Sequence, residues 1–203
     1  PFQSNRRFLH DRLRESPGLL YAMHWPYRQM ETARPVRLTP LHAKLDAHGA
    51  VFGEAVGWER ANWYAPEGVE RVYEYSYGRQ NWFPHVAEEH AAVREAVGLF
   101  DLSSFGKALI QRRDAMGQLQ KICSADMSKP VGKVTYTHFL NESGGIEADL
   151  TITRLADDEF LLVTAAAAQH RDINWVRRHL DPDAHVAVTD VTSGYAVLSV
   201  MGP

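Results

Sequence analysis

The sequence predicts an α+β protein in which a mixed or antiparallel sheet carries helices packed on it. Three observations lead there. Residues 133–155, K-V-T-Y-T-H-F-L-N-E-S-G-G-I-E-A-D-L-T-I-T-R-L, hold two runs rich in Thr, Val, Ile and Tyr around N-E-S-G-G, the pattern of a β-hairpin. Residues 86–97, 114–123 and 173–180 carry apolar side chains at helical spacing. Further short strand patterns occupy Glu159–Ala165, His185–Val191 and Tyr195–Val200, so helices and strands alternate along one sheet layer.

The hairpin is the best-determined element. Asn141, Ser143 and the Gly144-Gly145 pair supply turn chemistry between the runs Lys133–Leu140 and Ala148–Leu155. Strand residues two apart share a face, so Glu147, Asp149 and Thr151 point one way. Ala148, Leu150 and Ile152 point the other way, toward the expected core. A carboxylate such as Asp149 between apolar neighbours is either solvated or placed for a ligand.

Upstream, residues 5–15 form a helix with Phe8, Leu9 and Leu13 on one side, ended by Ser16-Pro17-Gly18. The stretch L-L-Y-A-M-H-W-P-Y-R-Q-M, broken by Pro26, has no clean period. Thr39 caps a short helix over roughly 40–48, with Pro40 at its first position. Residues 49–64 read as a loop anchored by Trp58 and Trp63, and the alternating Tyr73, Tyr75 and Tyr77 suit a strand or extended edge. Pro84 precedes a helix whose Val86, His90, Val93 and Val97 share a face, which makes His90 a core histidine, with Glu88 and Glu89 in its first turn. Asp101 is placed to cap the Ser-rich turn that follows. Asp114 opens a helix that turns Met116, Leu119, Ile122 and Cys123 inward. Glu159–Ala165 is a buried strand. The helix after the alanine run turns Ile173, Val176 and Leu180 inward.

Composition excludes several classes. Hydrophobic content of 45% and charged content of 23% suit a globular protein with a real core. A net charge of −3 gives no electrostatic case for nucleic acid or an anionic membrane. The single Cys123 excludes an intrachain disulfide, and the histidines show no metal-ligand spacing. No apolar run approaches a membrane span and no signal peptide opens the chain, so a cytoplasmic location is expected, or the mitochondrial matrix in a eukaryote. Pro1 without an initiator Met, and a strand pattern that ends at Pro203, read as a piece of a longer protein.

Several stretches resemble one family. Y-T-H-F-L-N-E-S-G-G-I-E-A-D-L-T-I-T-R resembles the central signature of the aminomethyltransferases, the glycine cleavage T-protein and its relatives. G-L-F-D-L-S-S-F-G-K resembles the opening block of the same domain. R-P-V-R-L-T-P-L-H-A-K-L, continued by G-A-V-F-G-E-A-V-G-W-E-R-A-N-W-Y, is similar to the segment joining the flavin and folate domains of dimethylglycine and sarcosine dehydrogenases.

The resemblance implies two parts. Residues 1–65 are the tail and linker module of an upstream FAD-dependent oxidoreductase domain, and residues 66–203 are the N-terminal part of a truncated aminomethyltransferase-like folate-binding domain. It also implies that Asp149 binds the pterin end of tetrahydrofolate and takes part in catalysis, with Phe105, Tyr136, Thr151 and Val163 lining the pocket. The implied partners are tetrahydrofolate and an N-methylated glycine-type amine, with FAD held by the upstream domain. The activity implied is passage of a one-carbon unit from an iminium to tetrahydrofolate. Ala148 and Ala165 depart from an acid and an Asn of the family. These departures point to two alternatives, a tetrahydrofolate-dependent demethylase of another methyl donor or a non-catalytic folate-binding module.

Overall fold

A computed structural model of the chain describes residues 4–22 and 28–203. It divides into two compact units, Pro1–Leu102 with Leu198–Pro203, and Ser103–Val197. The middle of the aromatic stretch around Pro26 lies outside the described residues.

The first unit begins with α1 (Arg6–Leu20), capped by Asn5, whose Oδ1 accepts the Arg7 and Phe8 amides at 2.9 and 3.2 Å. The helix runs through Pro17 instead of ending there. The missing Pro17 amide costs one backbone bond. The Ser16 hydroxyl satisfies the nearby Arg12 carbonyl at 2.7 Å, and Leu19 is buried in the last turn. The inward face is also not the expected one. Leu9 and Leu13 are exposed, whereas Arg12 is buried in an ion pair with Glu54 at 3.1 Å.

The helix expected near residue 40 is shorter, α2 (His42–Ala47). Thr39 does not cap it, because its hydroxyl donates to Asp101 Oδ2 at 2.6 Å. Asp101 itself lies in a strand, β3 (Gly98–Asp101).

Residues 49–64 are not a loop but an antiparallel hairpin, β1 (Ala50–Ala55) and β2 (Trp58–Tyr64). Val56 and Gly57 alone join the strands, at φ 54° and 81°. Two positive φ values are what a type I′ hairpin turn demands. A β-branched residue pays for the first of them, and a left-handed L-residue costs roughly 1–2 kcal/mol. Val56→Asn should therefore raise unfolding stability by about 1 kcal/mol, read as a higher urea midpoint at unchanged slope.

Trp63 is buried in a small core with Val51 and Ala65. Tyr73 and Tyr75 enter no strand; they stack on each other at 5.9 Å and edge-on to Trp82 at 5.3 and 6.0 Å. Packing on Trp82, not a ladder, decides their conformation. Burial pushes the Tyr73 phenol up to about 12.

Helix α3 (Phe83–Glu95) starts one residue before Pro84, so Glu88 and Glu89 fall beyond its first turn. Glu89 accepts the Tyr64 amide at 3.0 Å. No α3 residue is fully buried, and His90 and Val97 are exposed. His90 is thus no core histidine: the helix rests only Val86, Val93 and their neighbours on the unit, each half covered.

In the second unit, β4 (Gly106–Gln111), β5 (Val134–Leu140), β6 (Ile146–Ala156), β7 (Glu159–Thr164) and β8 (Ala187–Asp190) form one sheet in the order β5-β6-β7-β4-β8. Every neighbouring pair is antiparallel. Helices α4 (Ala115–Ile122) and α5 (Gln169–His179) supply Ala115, Leu119, Ile122, Ile173 and Val176 to a core shared with Ala108, Ile110, Phe139, Ala148, Leu150, Ile152, Phe160 and Leu162. These strand residues all lie on one face, so the core occupies one side of the sheet and leaves the other free of this unit's helices.

Three details differ from expectation. Met116 is exposed and Gln118 takes an inward place, because its amide pairs with Asp181 at 2.8 and 2.9 Å. The strand at Glu159 alternates, with Phe160, Leu162 and Thr164 buried and the residues between them half-buried, since only one sheet face meets the helices. The last two strands are shorter and separate: β8 pairs with β4, while β9 (Leu198–Met201) pairs with β3 in the first unit. Cys123 is buried as expected, and burial pushes its thiol up to about 12.

Candidate functional site

The hairpin β5–β6 forms as the sequence dictates. Asn141 organises its turn: Oδ1 accepts the Ser143 and Gly145 amides at 3.1 and 2.8 Å, and Nδ2 donates to Glu147 Oε1 at 2.9 Å. Gly144 takes φ 79° in that turn, where a side chain would be strained. Ala148, Leu150 and Ile152 turn into the core at 3% exposure or less. Asp149 and Thr151 face away from it.

Tertiary pairing then extends this outer face across the sheet. Tyr136 opposes Thr151, Thr151 opposes Val163, and Val163 opposes Lys107, so four strands contribute one row. The next row inward on the core face is Thr137, Leu150, Thr164 and Gly106. One residue further along sit His138, opposite Asp149, and Ala165 and Phe105 at the ends of β7 and β4. The five residues singled out from the sequence, Phe105, Tyr136, Asp149, Thr151 and Val163, therefore gather at one end of the sheet, on the face opposite the helices.

Their exposure suits a binding surface. Tyr136 is 58% exposed, Asp149 is exposed, and Phe105, Thr151 and Val163 are half-buried. A hydrogen bond from the Tyr136 phenol to the Asp149 carboxylate holds the phenol above its ordinary range. The pair thus presents an aromatic surface beside a carboxylate, the combination that holds a flat heterocycle bearing N–H donors.

The two departures from the family pattern lie in different places. Ala148 faces Phe139 across the hairpin inside the core, where an acid would need a buried partner. Ala165 is exposed at the end of β7, in the row of Asp149, so there the site lacks a polar group.

Two residues were not anticipated. Lys107 is fully buried, and its ammonium donates to the Ser103 and Tyr195 carbonyls at 2.8 and 2.9 Å. It ties the turn that carries Phe105 to the segment after β8. Its place beside the recognised F-G motif was visible, but nothing in one sequence separates an inward lysine from a solvated one. His138 lies two residues from Tyr136, and the two rings meet edge-on at 5.0 Å. The alternation Tyr136, His138 was the available signal. Among the described residues, no group of three His, Cys, Asp or Glu side chains converges on a metal site.

An antiparallel α+β layer with this signature hairpin on its open face defines an aminomethyltransferase-type fold. The chain belongs to the GCVT N-terminal domain family, whose model matches residues 41–203; the FAD dependent oxidoreductase central domain model matches residues 1–39.

It is 51% identical over 99% of its length to 4-methylaminobutanoate oxidase (formaldehyde-forming) of Paenarthrobacter nicotinovorans, covering 24% of that protein. It is 33% identical over 99% of its length to the mitochondrial pyruvate dehydrogenase phosphatase regulatory subunit of Mus musculus, covering 24% of it. It is 31% identical over 97% of its length to mitochondrial sarcosine dehydrogenase of the same organism, covering 26% of it. Among solved structures, the glycine cleavage system aminomethyltransferase T from Bartonella henselae matches with a TM-score of 0.67 and 25% identity, over 83% of this chain and 41% of that one. The chain spans about a quarter of the length of the curated relatives it matches. Among the described residues no helix is long and apolar enough to cross a membrane.

Proposed function

We propose that this chain is the folate-facing part of a FAD-dependent oxidoreductase of N-methylated amines. In this reading residues 1–65 are the tail and linker of the flavin domain, residues 66–203 begin the folate domain, and the protein works in the cytoplasm or the mitochondrial matrix.

The observation that carries the reading is the sheet register, which gathers Phe105, Tyr136, Asp149, Thr151 and Val163 on the face opposite the helices. Tyr136 and Phe105 offer ring surface to the pterin of tetrahydrofolate. Asp149 accepts N–H donors from its edge and steadies positive charge developing on its nitrogens. Thr151 and Val163 floor the site. Bound there, tetrahydrofolate would add one nitrogen to an iminium carbon; its second nitrogen would then bond the same carbon as the demethylated amine leaves, giving 5,10-methylenetetrahydrofolate. The chain's own task is to hold the acceptor close and dry, since positioning alone is worth up to roughly 7–11 kcal/mol of barrier. The amine is an N-methylated glycine or a longer N-methylamino acid, the latter supported by the 51% identical relative's name.

The same name, with its formaldehyde-forming activity, supports a second reading in which the methyl carbon is released and not captured. The polar group missing at Ala165 favours it as well. The test is product partition in the full-length protein. Oxidation of an N-methylated amine with tetrahydrofolate present should convert most of the released carbon to methylenetetrahydrofolate. Unchanged free formaldehyde would sink the first reading and leave the second.

A further inference from the structure

We propose that His138 is a further positioning residue of the Asp149 site, one that makes its affinity for the pterin edge fall as the imidazole gains a proton. The inference rests on the folate reading and specifies how that site is controlled.

The geometry comes from both strands of the hairpin. His138 opposes Asp149 in register, on the same outer face, and opposed residues have Cβ atoms about 4.5–5.5 Å apart. On its own strand its neighbour is Tyr136, with ring centroids 5.0 Å apart and planes at 77°. On β6 the acidic groups of this face are Asp149 and Glu147, and Glu147 is held by the Asn141 amide at 2.9 Å. On the other side of β5 the neighbour is Ser124, next to the buried Cys123; its amide donates to the His138 carbonyl at 3.0 Å and its hydroxyl oxygen accepts the His138 amide at 3.2 Å. The half-buried His138 thus shares its face of the hairpin with two carboxylates and a phenol, and none of these residues is a cation.

Imidazole is the side chain whose charge ordinarily changes between pH 5 and 8. In the neutral form it leaves Asp149 to Tyr136 and to ligand N–H donors. As imidazolium it becomes a competing cationic partner for the same carboxylate, and the ligand must displace it. Protonation also sets a charge against any positive character developing on the bound pterin. Both effects weaken binding at low pH.

The experiment measures tetrahydrofolate binding to the full-length protein by calorimetry at about pH 8 and about pH 6, with circular dichroism to confirm folding. Wild type should bind about tenfold more weakly at the lower pH, a change of about 1.4 kcal/mol. His138→Gln, which cannot gain a charge, should bind equally at both. His138→Lys, a permanent cation, should show the weak affinity at both. A pH ratio in His138→Gln equal to that of wild type would overturn the proposal while leaving the folate reading intact. No binding by either wild type or His138→Gln at the higher pH would overturn the proposal together with the folate reading.

Discussion

Asp149→Ala in the full-length protein should lower methylenetetrahydrofolate formation by about two to three orders of magnitude while amine oxidation stays within about twofold of wild type. The carboxylate stands exposed on the open sheet face beside Tyr136, so it carries no core packing. Removing an exposed side chain of this kind changes stability by no more than about 0.5 kcal/mol. Losing a charged acceptor for ligand N–H groups costs about 1.5–3 kcal/mol of binding, roughly ten- to hundredfold. The further loss in rate reflects charge that develops only as the carbon is transferred. Measuring flavin reduction and folate product in the same preparation separates the steps. Equal loss of both would make Asp149 a structural residue and move the folate site elsewhere.

Phe139→Ala should have the largest effect on stability, about 3–5 kcal/mol. Phe139 is fully buried, faces Ala148 across the hairpin and bridges to Cys123 at the end of α4. Its ring fills the core on the face of the hairpin opposite Asp149, so its removal leaves a cavity between sheet and helix. Urea unfolding should show a lower midpoint, and Phe139→Leu should restore most of the loss. A midpoint shift worth less than about 1 kcal/mol would mean that the hairpin's packing tolerates a void there.

These two residues are adjacent to the same turn and point to opposite faces, a division legible in the sequence. Period-two alternation over Ala148–Ile152 and the N-E-S-G-G turn both act locally, so one stretch was enough to orient Asp149 outward and Leu150 inward. Helix faces were less legible. Leu13, His90 and Met116 stand at apolar spacing yet are exposed, while Arg12 and Gln118 are buried because each found a partner, Glu54 and Asp181 respectively. Spacing reports which residues share a face, not which face meets a neighbour. The Trp hairpin over residues 50–64 was missed because Val56 occupies a turn position that turn chemistry reserves for Gly, Asn or Asp.

By itself the sequence determined the hairpin, the inward and outward sets of β6, the three helices that follow residue 82 and the family to which the chain belongs. Those features rest on local periodicity, turn residues and motif order. Tertiary structure alone decided which strands lie beside β6. Pairing of Leu150 with Thr164 and of Thr164 with Gly106 sets Val163 beside Thr151 and brings Phe105 to the same end of the sheet as Asp149. Pairing within the hairpin sets His138 against Asp149. The strand order β5-β6-β7-β4-β8 is not sequential, because each strand goes where its apolar face meets α4 and α5. That choice is made by burial across the whole unit, which no local pattern encodes.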